Sequence, residues 1–299
     1  MQLKAPVILF IFKRPEQTSR VFDAIAKARP QKLYVVADGP RAPDEEEVCQ
    51  LTRQIIENIG WECEVNRNYS DTNLGLRNRV ISGLDWVFDH EERAIILEDD
   101  CLPRLSFFQY CEELLNYYND DEKVLHISGD NFLFGKKSFK ESYYFSKYPH
   151  VWGWATWRRA WALFHEWNCH NPPLDPSIFQ SCSEGDFWQE ILQEVQANKL
   201  NYSWAYQWSL VCLAFRAINI VPNVNLVSNI GFGEIATNTK EMSNLANIQV
   251  GEMHFPLIHP EKRAWNNAAD EQVAKLFFRA TTTSSLAKLK SILKSLRFS

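Results

Sequence analysis

Arg93-Ala94-Ile95-Ile96-Leu97-Glu98-Asp99-Asp100-Cys101 is the stretch whose reading decides the fold. A short apolar run that stops on three consecutive carboxylates reads as a buried strand of a parallel sheet, with the acids at its carboxyl end. Open α/β sheets bind their ligands along that edge. Adjacent confined acids repel one another and lose solvation, so such a cluster reads as a divalent-cation site. The competing reading is an acidic turn facing water, and the apolar strand immediately before the acids weighs against it.

The same pattern recurs toward the N-terminus. Residues 6–12 are strand-like, and Pro15-Glu16 then opens a helix with Val21, Phe22, Ile25 and Ala28 at helical spacing. Residues 32–38 form a second buried strand that ends on an acid, Asp38, before the turn Gly39-Pro40. A helix follows, with Leu51, Ile55, Ile56 and Ile59 as its apolar face and Gly60 as its stop. Residues 61–65 are a third, weaker strand. A polar loop through Asn73-Leu74-Gly75 then leads to a helix carrying Val80, Leu84, Val87 and Phe88. Beyond the acidic stretch come a helix over 106–118 and a strand over 124–128. Repeated β-α units imply a doubly wound, mostly parallel sheet flanked by helices, hence an α/β fold.

After Gly129-Asp130-Asn131 the alternation breaks down and the chain becomes rich in tryptophan: Trp152, Trp154, Trp157, Trp161, Trp167, Trp188, Trp204 and Trp208. The expected organisation is a domain over 1–283 whose halves, 1–131 and 132–283, share one core, the first presenting a ligand and the second covering it. The segment 284–299 is different again. Leu286, Leu289, Leu293 and Leu296 share a helical face, and Lys288, Lys290, Lys294 and Arg297 add positive charge without an acid. Two readings stand for this basic amphipathic helix: peripheral contact with an anionic membrane, or packing on its own domain or a second subunit.

Composition excludes several classes. At 299 residues and 45% hydrophobic content the chain can bury a large core. A net charge of −5 and no long Lys/Arg block in the body argue against nucleic acid as a partner. Seven scattered cysteines without a Cys-x-x-Cys argue against a disulfide framework or structural zinc, so the expected location is reducing and cytoplasmic. The apolar run near the N-terminus is too short to span a bilayer and ends in Lys13-Arg14-Pro15, so it reads as the first strand.

Three strand ends therefore converge on one sheet edge: Lys13-Arg14, Asp38 and Glu98-Asp99-Asp100. A cation held by the acids would neutralise a diphosphate, Arg14 would add a charge-assisted contact, and Asp38 would hydrogen-bond a base or ribose. An aspartyl-phosphate phosphatase would need Asp-x-Asp after the first strand, where Phe12-Lys13-Arg14 stands. Neither a P-loop nor a Gly-x-G-x-x-Gly fingerprint is present. A nucleotidyltransferase making sugar nucleotides should carry a Gly-rich first loop, also missing here. Transfer from a nucleotide sugar survives.

The chain resembles the GT-A glycosyltransferases, and more closely the family of the N-acetylglucosaminyltransferase that initiates complex N-glycans, with its bacterial relatives. The resemblance covers roughly residues 6–232. It is carried by Phe12-Lys13-Arg14, Val36-Ala37-Asp38-Gly39, Ile96-Leu97-Glu98-Asp99-Asp100, Ser128-Gly129-Asp130-Asn131, Gly153-Trp154-Ala155-Thr156-Trp157-Arg158-Arg159-Ala160-Trp161 and Trp204-Ala205-Tyr206-Gln207-Trp208, in that order.

The resemblance implies that Asp100 ligates Mn2+ or Mg2+, Asp99 contacts the ribose and Glu98 the transferred sugar of a UDP-sugar, with UDP-GlcNAc as one candidate. Arg14, Asp38 and Asn73 would hold the donor, and Arg77 and Arg79 its uracil or phosphate. Asp130, Asn131, Gly153, Trp154, Trp204 and Gln207 would line the sugar and acceptor side, where a glycan or other hydroxyl compound enters. The mechanism implied is inverting transfer, with a carboxylate taking the acceptor proton.

Family members place that carboxylate where this chain has Ala205. Losing a general base costs roughly 10²–10⁴-fold in rate. Either Ala205 replaces an Asp by engineering, or it is a natural variant that is silent or uses another base, for which Glu234 and Asp186 are the fallbacks. Two further readings stay open: a silent sugar-nucleotide or glycan-binding protein, and a nucleotide-sugar hydrolase. Trp154 and Trp204 are expected as sugar platforms, with most other tryptophans in the core. His126, His254 and His259 could supplement the metal site but read better as hydrogen-bonded structural residues.

Overall fold

The computed structural model describes residues 2–137, 139–170, 172–179, 182–200, 203–231 and 248–277. Among them one eight-stranded sheet runs through the molecule. In chain order the strands used here are β1 (Val7–Ile11), β2 (Lys32–Ala37), β3 (Glu64–Tyr69), β4 (Arg93–Glu98), β5 (Cys101–Pro103), β6 (Val124–Ser128), β7 (Tyr143–Ser146), β8 (Trp154–Trp157), β9 (Ile218–Pro222) and β10 (Val227–Asn229). The helices are α1 (Pro15–Ala28), α2 (Glu46–Gln54), α3 (Leu76–Phe88), α4 (Leu105–Tyr117), α5 (Arg158–His170), α6 (Cys182–Gln196), α7 (Trp204–Ala214) and α8 (Asn267–Phe277).

The large sheet has the order β3-β2-β1-β4-β8-β6-β9-β7. β3, β2, β1 and β4 are parallel neighbours, while β8 and β7 run antiparallel to theirs. This is the α/β, doubly wound, mostly parallel sheet flanked by helices that the alternation implies. Successive residues of the central strands face opposite layers, as a period of two requires. Val7, Leu9, Ile95 and Leu97 pack with Val21, Ile25, Phe107 and Leu114 of α1 and α4. Ile8, Phe10 and Ile96 pack with Val80 and Leu84 of α3, Trp161 of α5 and Trp208 of α7. Both layers draw on residues from either side of position 131, and burying each large aliphatic side chain contributes about 1.5–3 kcal/mol.

Local chemistry sets the element ends. Pro15 opens α1 with its fixed φ, and Arg29 closes it in the left-handed region at φ 50°. The third strand lies at Glu64–Tyr69, later than the 61–65 expected. Trp61 anchors the approach instead, donating Nε1–H to the Pro30 carbonyl at 2.9 Å and packing on Phe22, which leaves pairing to begin at Lys32↔Glu64.

The chain runs from β1 outward through β2 to β3, then crosses back to place β4 on the other side of β1. The crevice between the carboxyl ends of β1 and β4 is thus the topological switch point, where open α/β sheets hold ligands. The turn 99–100 at this point is braced by the second half of the chain. β10 pairs antiparallel with β5, and Ile230 donates its amide to the Asp100 carbonyl at 2.7 Å.

Among the described residues no helix is long and apolar enough to cross a membrane. Residues 284–299 and Glu234 lie outside the described residues.

Candidate functional site

At the switch point lies a cleft of about 490 Å³ lined by the ends of β1, β2 and β4 and by the loop that opens α3. Phe12, Lys13, Arg14, Asp38, Asn73, Arg77, Arg79, Glu98, Asp99 and Asp100 all face it, so the three strand ends expected to converge do converge. The volume suits a ligand of nucleotide size.

The acidic wall is internally tied. Asp99 accepts from the Phe12 amide at 3.1 Å, and one Arg14 nitrogen, Nη1, reaches Asp99 at 3.3 Å and Asp100 at 2.8 Å. Burial pushes the Asp99 carboxyl up to about 6, and the adjacent Arg14 charge works against that rise. Arg14 is itself held protonated: burial disfavours its charge, but Asp99 and Asp100 more than offset this. The Asp100 carboxylate lies against the main chain of Gly231, where a Cβ would collide with it. Glycine is therefore the residue that lets the acid turn and the β10 ribbon close on each other, a role invisible in the sequence.

Asp38 does different work from that expected. Its Oδ1 accepts from the amides of Gly39 and Leu74, both at 2.9 Å, and its Oδ2 from Asn73 Nδ2 at 3.0 Å and the Gly75 amide at 3.1 Å. Four donors fill the carboxylate, so Asp38 and Asn73 shape the cleft by fixing loop 73–75 rather than by offering free groups to a base or ribose. Gly75 caps α3 at φ 76°, in the left-handed region that glycine tolerates. Arg79 is likewise absorbed. Its Nε donates to the Ala37 carbonyl at 3.1 Å and its Nη2 to the Asn68 side chain at 2.9 Å and to the Asn68 carbonyl.

The residues expected on the acceptor side are buried. Trp154 is 1% exposed and Trp204 2%, with their rings stacked on each other at 5.5 Å. Trp154 also stacks on His126 at 4.9 Å. Neither presents a face for a sugar; the sequence reading as platforms is corrected to core, because Trp154 of the sheet and Trp204 of α7 bury each other. Asn131 spends its side chain on the Pro222 carbonyl at 2.6 Å and the Leu133 amide at 2.7 Å. Gly153, at φ 67°, packs on Val227 and Leu97. Gln207 is buried between α5 and α3, accepting from Arg77 Nε at 2.7 Å and donating to Asn168 at 3.2 Å.

Asp130 is the exception within this group. It is fully buried with no side chain hydrogen-bonded to its carboxylate, and burial pushes its acid well above the usual carboxylate range, against the pull of the Asp130 and Trp152 amides. Ile96, Trp154 and Ser128 form one cross-strand row, and Asp130 follows two residues beyond it, past the end of β6 and outside the cleft lining.

His126 is excluded from metal binding by its partners. Nε2–H donates to the His150 carbonyl at 2.7 Å and Nδ1 accepts from Trp208 Nε1–H at 3.1 Å, which uses both ring nitrogens. Burial lowers its pKa to about 3. His259 is taken by Tyr143 at 2.7 Å and stacks on Tyr117, while His254 is exposed. Asp186 is exposed on α6 and absent from the cleft lining. Ala205 is half-buried in the first turn of α7, a turn that contains no acid.

The metal expectation can be tested on the donor set. Among the described residues no group of three or more His, Cys, Asp and Glu is arranged to hold an ion. Asp100 gives one oxygen to Arg14 and offers the other only to the Cys101 thiol at 3.4 Å. That donor set would suit an ion bound by one carboxylate and completed by non-protein oxygens, not a resident all-protein cage.

No family model and no curated protein sequence matches the chain. Among solved structures, UDP-glucose pyrophosphorylase complexed with UDP-glucose is similar at 11% identity over 52% of this chain and 69% of that one, with a TM-score of 0.28. The apo form of a UDP-glucose pyrophosphorylase gives 11% identity over 75% and 93%, with a TM-score of 0.39. A 4-diphosphocytidyl-2C-methyl-D-erythritol synthase from Anaerococcus prevotii gives 11% over 57% and 80%, with a TM-score of 0.35. Each is a similarity of fold and of nothing finer.

Proposed function

We propose that the protein binds a nucleoside diphosphate sugar, with UDP-GlcNAc as one candidate, and transfers the sugar with inversion to a hydroxyl acceptor such as a glycan. The observation that carries this reading is the switch-point cleft itself, whose lining brings the carboxylates at 98–100 together with Arg77. A diphosphate needs cations, and the sugar beyond it needs hydrogen-bond acceptors; this lining supplies both. The first loop, Phe12-Lys13-Arg14, is too short and too bulky to wrap a triphosphate, which favours glycosyl over nucleotidyl transfer.

In this reading Glu98 faces the transferred sugar and Asp99 fixes Arg14 and the Phe12 amide at the ribose end. Asp100 would hold a divalent ion, Mn2+ or Mg2+, which when bound would neutralise the departing diphosphate. Arg77 adds a guanidinium contact to the same oxygens, while Arg14 holds Asp99 and Asp100 in place. The test is calorimetric titration of UDP with Mn2+ and again with chelator, on the parent chain and on Asp100→Ala. Manganese should strengthen binding in the parent and have no effect in the variant. Absence of binding in every condition would refute the reading.

A second reading, a catalytically silent binder of the same ligand, is favoured by one observation. Ala205 stands in an α7 first turn that contains no acid, so no carboxylate there can take the acceptor proton. Ala205→Asp should raise transfer at least tenfold, with UDP affinity within about threefold of the parent, if base catalysis typical of such sites is what is missing. Free sugar released without acceptor would instead indicate a hydrolase.

A further inference from the structure

Five cationic side chains line the cleft: Lys13, Arg14, Arg41, Arg77 and Arg79. Four are already committed. Lys13 and Arg41 both pair with Glu45, at 2.9 and 2.6 Å, and Arg14 pairs with Asp99 and Asp100. Arg79 is buried and its nitrogens are taken by the Ala37 and Asn68 carbonyls, the Asn68 side chain and Ser82. Arg77 is different. It is half-buried, and among the described residues no carboxylate pairs with it. Its Nε donates to Gln207 Oε1 at 2.7 Å and its Nη1 to Asn78 at 3.2 Å, both neutral acceptors.

Its place in the chain sharpens the point. Arg77 sits in the first turn of α3, a turn with no acid and no side-chain cap, so a cation lies at the positive end of the helix dipole. The Asp38 carboxylate, accepting from the Leu74 and Gly75 amides, already offsets part of that dipole, and an anion in the cleft would add to it. The neutral partner matters as well. A glutamate at 207 would orient the guanidinium equally well but would cancel its charge, whereas glutamine orients it and leaves the charge available. Gln207 is itself fixed, being 4% exposed and donating to Asn168 of α5 at 3.2 Å.

We infer that Gln207 is the positioning residue of the donor-side guanidinium assigned above, holding Arg77 toward the cleft from α7 without cancelling its charge. This rests on the nucleotide reading above and deepens it. It also reassigns Gln207 from the acceptor side to the donor side.

The experiment is titration of UDP and of uridine, both in the presence of Mn2+, against the parent chain and the variants Arg77→Gln, Arg77→Lys, Gln207→Leu and Gln207→Glu. Arg77→Gln should weaken UDP at least tenfold and leave uridine within twofold, and Arg77→Lys should recover part of the loss. Gln207→Leu and Gln207→Glu should each weaken UDP severalfold with uridine unchanged, the first by freeing the guanidinium and the second by neutralising it. The split between UDP and uridine separates positioning from damage to the fold, which would weaken both ligands. UDP binding by the parent that Arg77→Gln changes less than twofold overturns this inference and leaves the nucleotide reading standing. So does an equal loss of both ligands in the Gln207 variants. No UDP binding by the parent overturns the nucleotide reading and this inference with it.

Discussion

Asp270 is a buried acid whose titration can be isolated by one substitution. It lies on α8, is 1% exposed, and accepts from Ser146 Oγ at 2.6 Å and the Lys147 amide at 3.2 Å. Burial raises its pKa from 3.8 to about 6. Between those values the folded chain binds more protons at this site than the unfolded chain. The stability tied to Asp270 is therefore fully present below about pH 4 and is lost as pH rises through about 6, a total of ~3 kcal/mol for about two units. Asp270→Asn removes this term but also one acceptor oxygen, which costs ~1 kcal/mol. The variant should thus be ~1 kcal/mol less stable than the parent near pH 4 and ~2 kcal/mol more stable at pH 7, with the curves crossing in between. His126 and His150, whose pKa values burial lowers to about 3 and about 4, contribute stability that is lost as pH falls below about 6.5. Both are present in parent and variant alike, so they cancel in the difference. Urea denaturation of both proteins at half-unit steps from pH 4 to 7.5 measures it. A difference that stays constant across the range would refute the raised pKa and the desolvation argument behind it.

Three further outcomes are expected. Glu184→Ala strands the Lys147 ammonium, 1% exposed and 2.5 Å from its partner, and should cost ~3–5 kcal/mol, while Lys147→Met combined with Glu184→Leu should lose much less; equal losses in a denaturant series would contradict this. Trp154→Ala should cost ~3–5 kcal/mol of stability because the ring is core, and a variant with parental stability but impaired sugar binding would restore the platform reading. Deleting residues 284–299 should abolish co-sedimentation with anionic vesicles under the interfacial reading of that segment; unchanged sedimentation counts against it, and a fall in melting temperature supports packing instead.

What the sequence determined by itself was the period-two and helical patterning, and with it the alternation of elements. A fully apolar run such as Val7–Ile11 or Ala94–Leu97 has few ways to satisfy both its backbone and its side chains other than as an inner strand of a parallel sheet. Once those strands are parallel, their carboxyl ends share an edge, so Arg14, Asp38 and the 98–100 acids had to meet there. The sequence also isolated Ala205, because a residue type is visible without coordinates.

Only the tertiary structure decided how each side chain is used. Asp38 reads as a ligand-facing acid until the amides of Gly39, Leu74 and Gly75 are seen to fill it, and the last two come from another loop. Trp154 and Trp204 read as platforms until the strand that carries one and the α7 helix that carries the other are seen to bury them against each other. Gln207 and Arg77 lie 130 residues apart, and no local pattern relates them. Burial and partner choice are set by segments distant in the chain, whereas strand periodicity is a local consequence of backbone geometry, and that physical difference divides what one sequence can state from what its folding must supply.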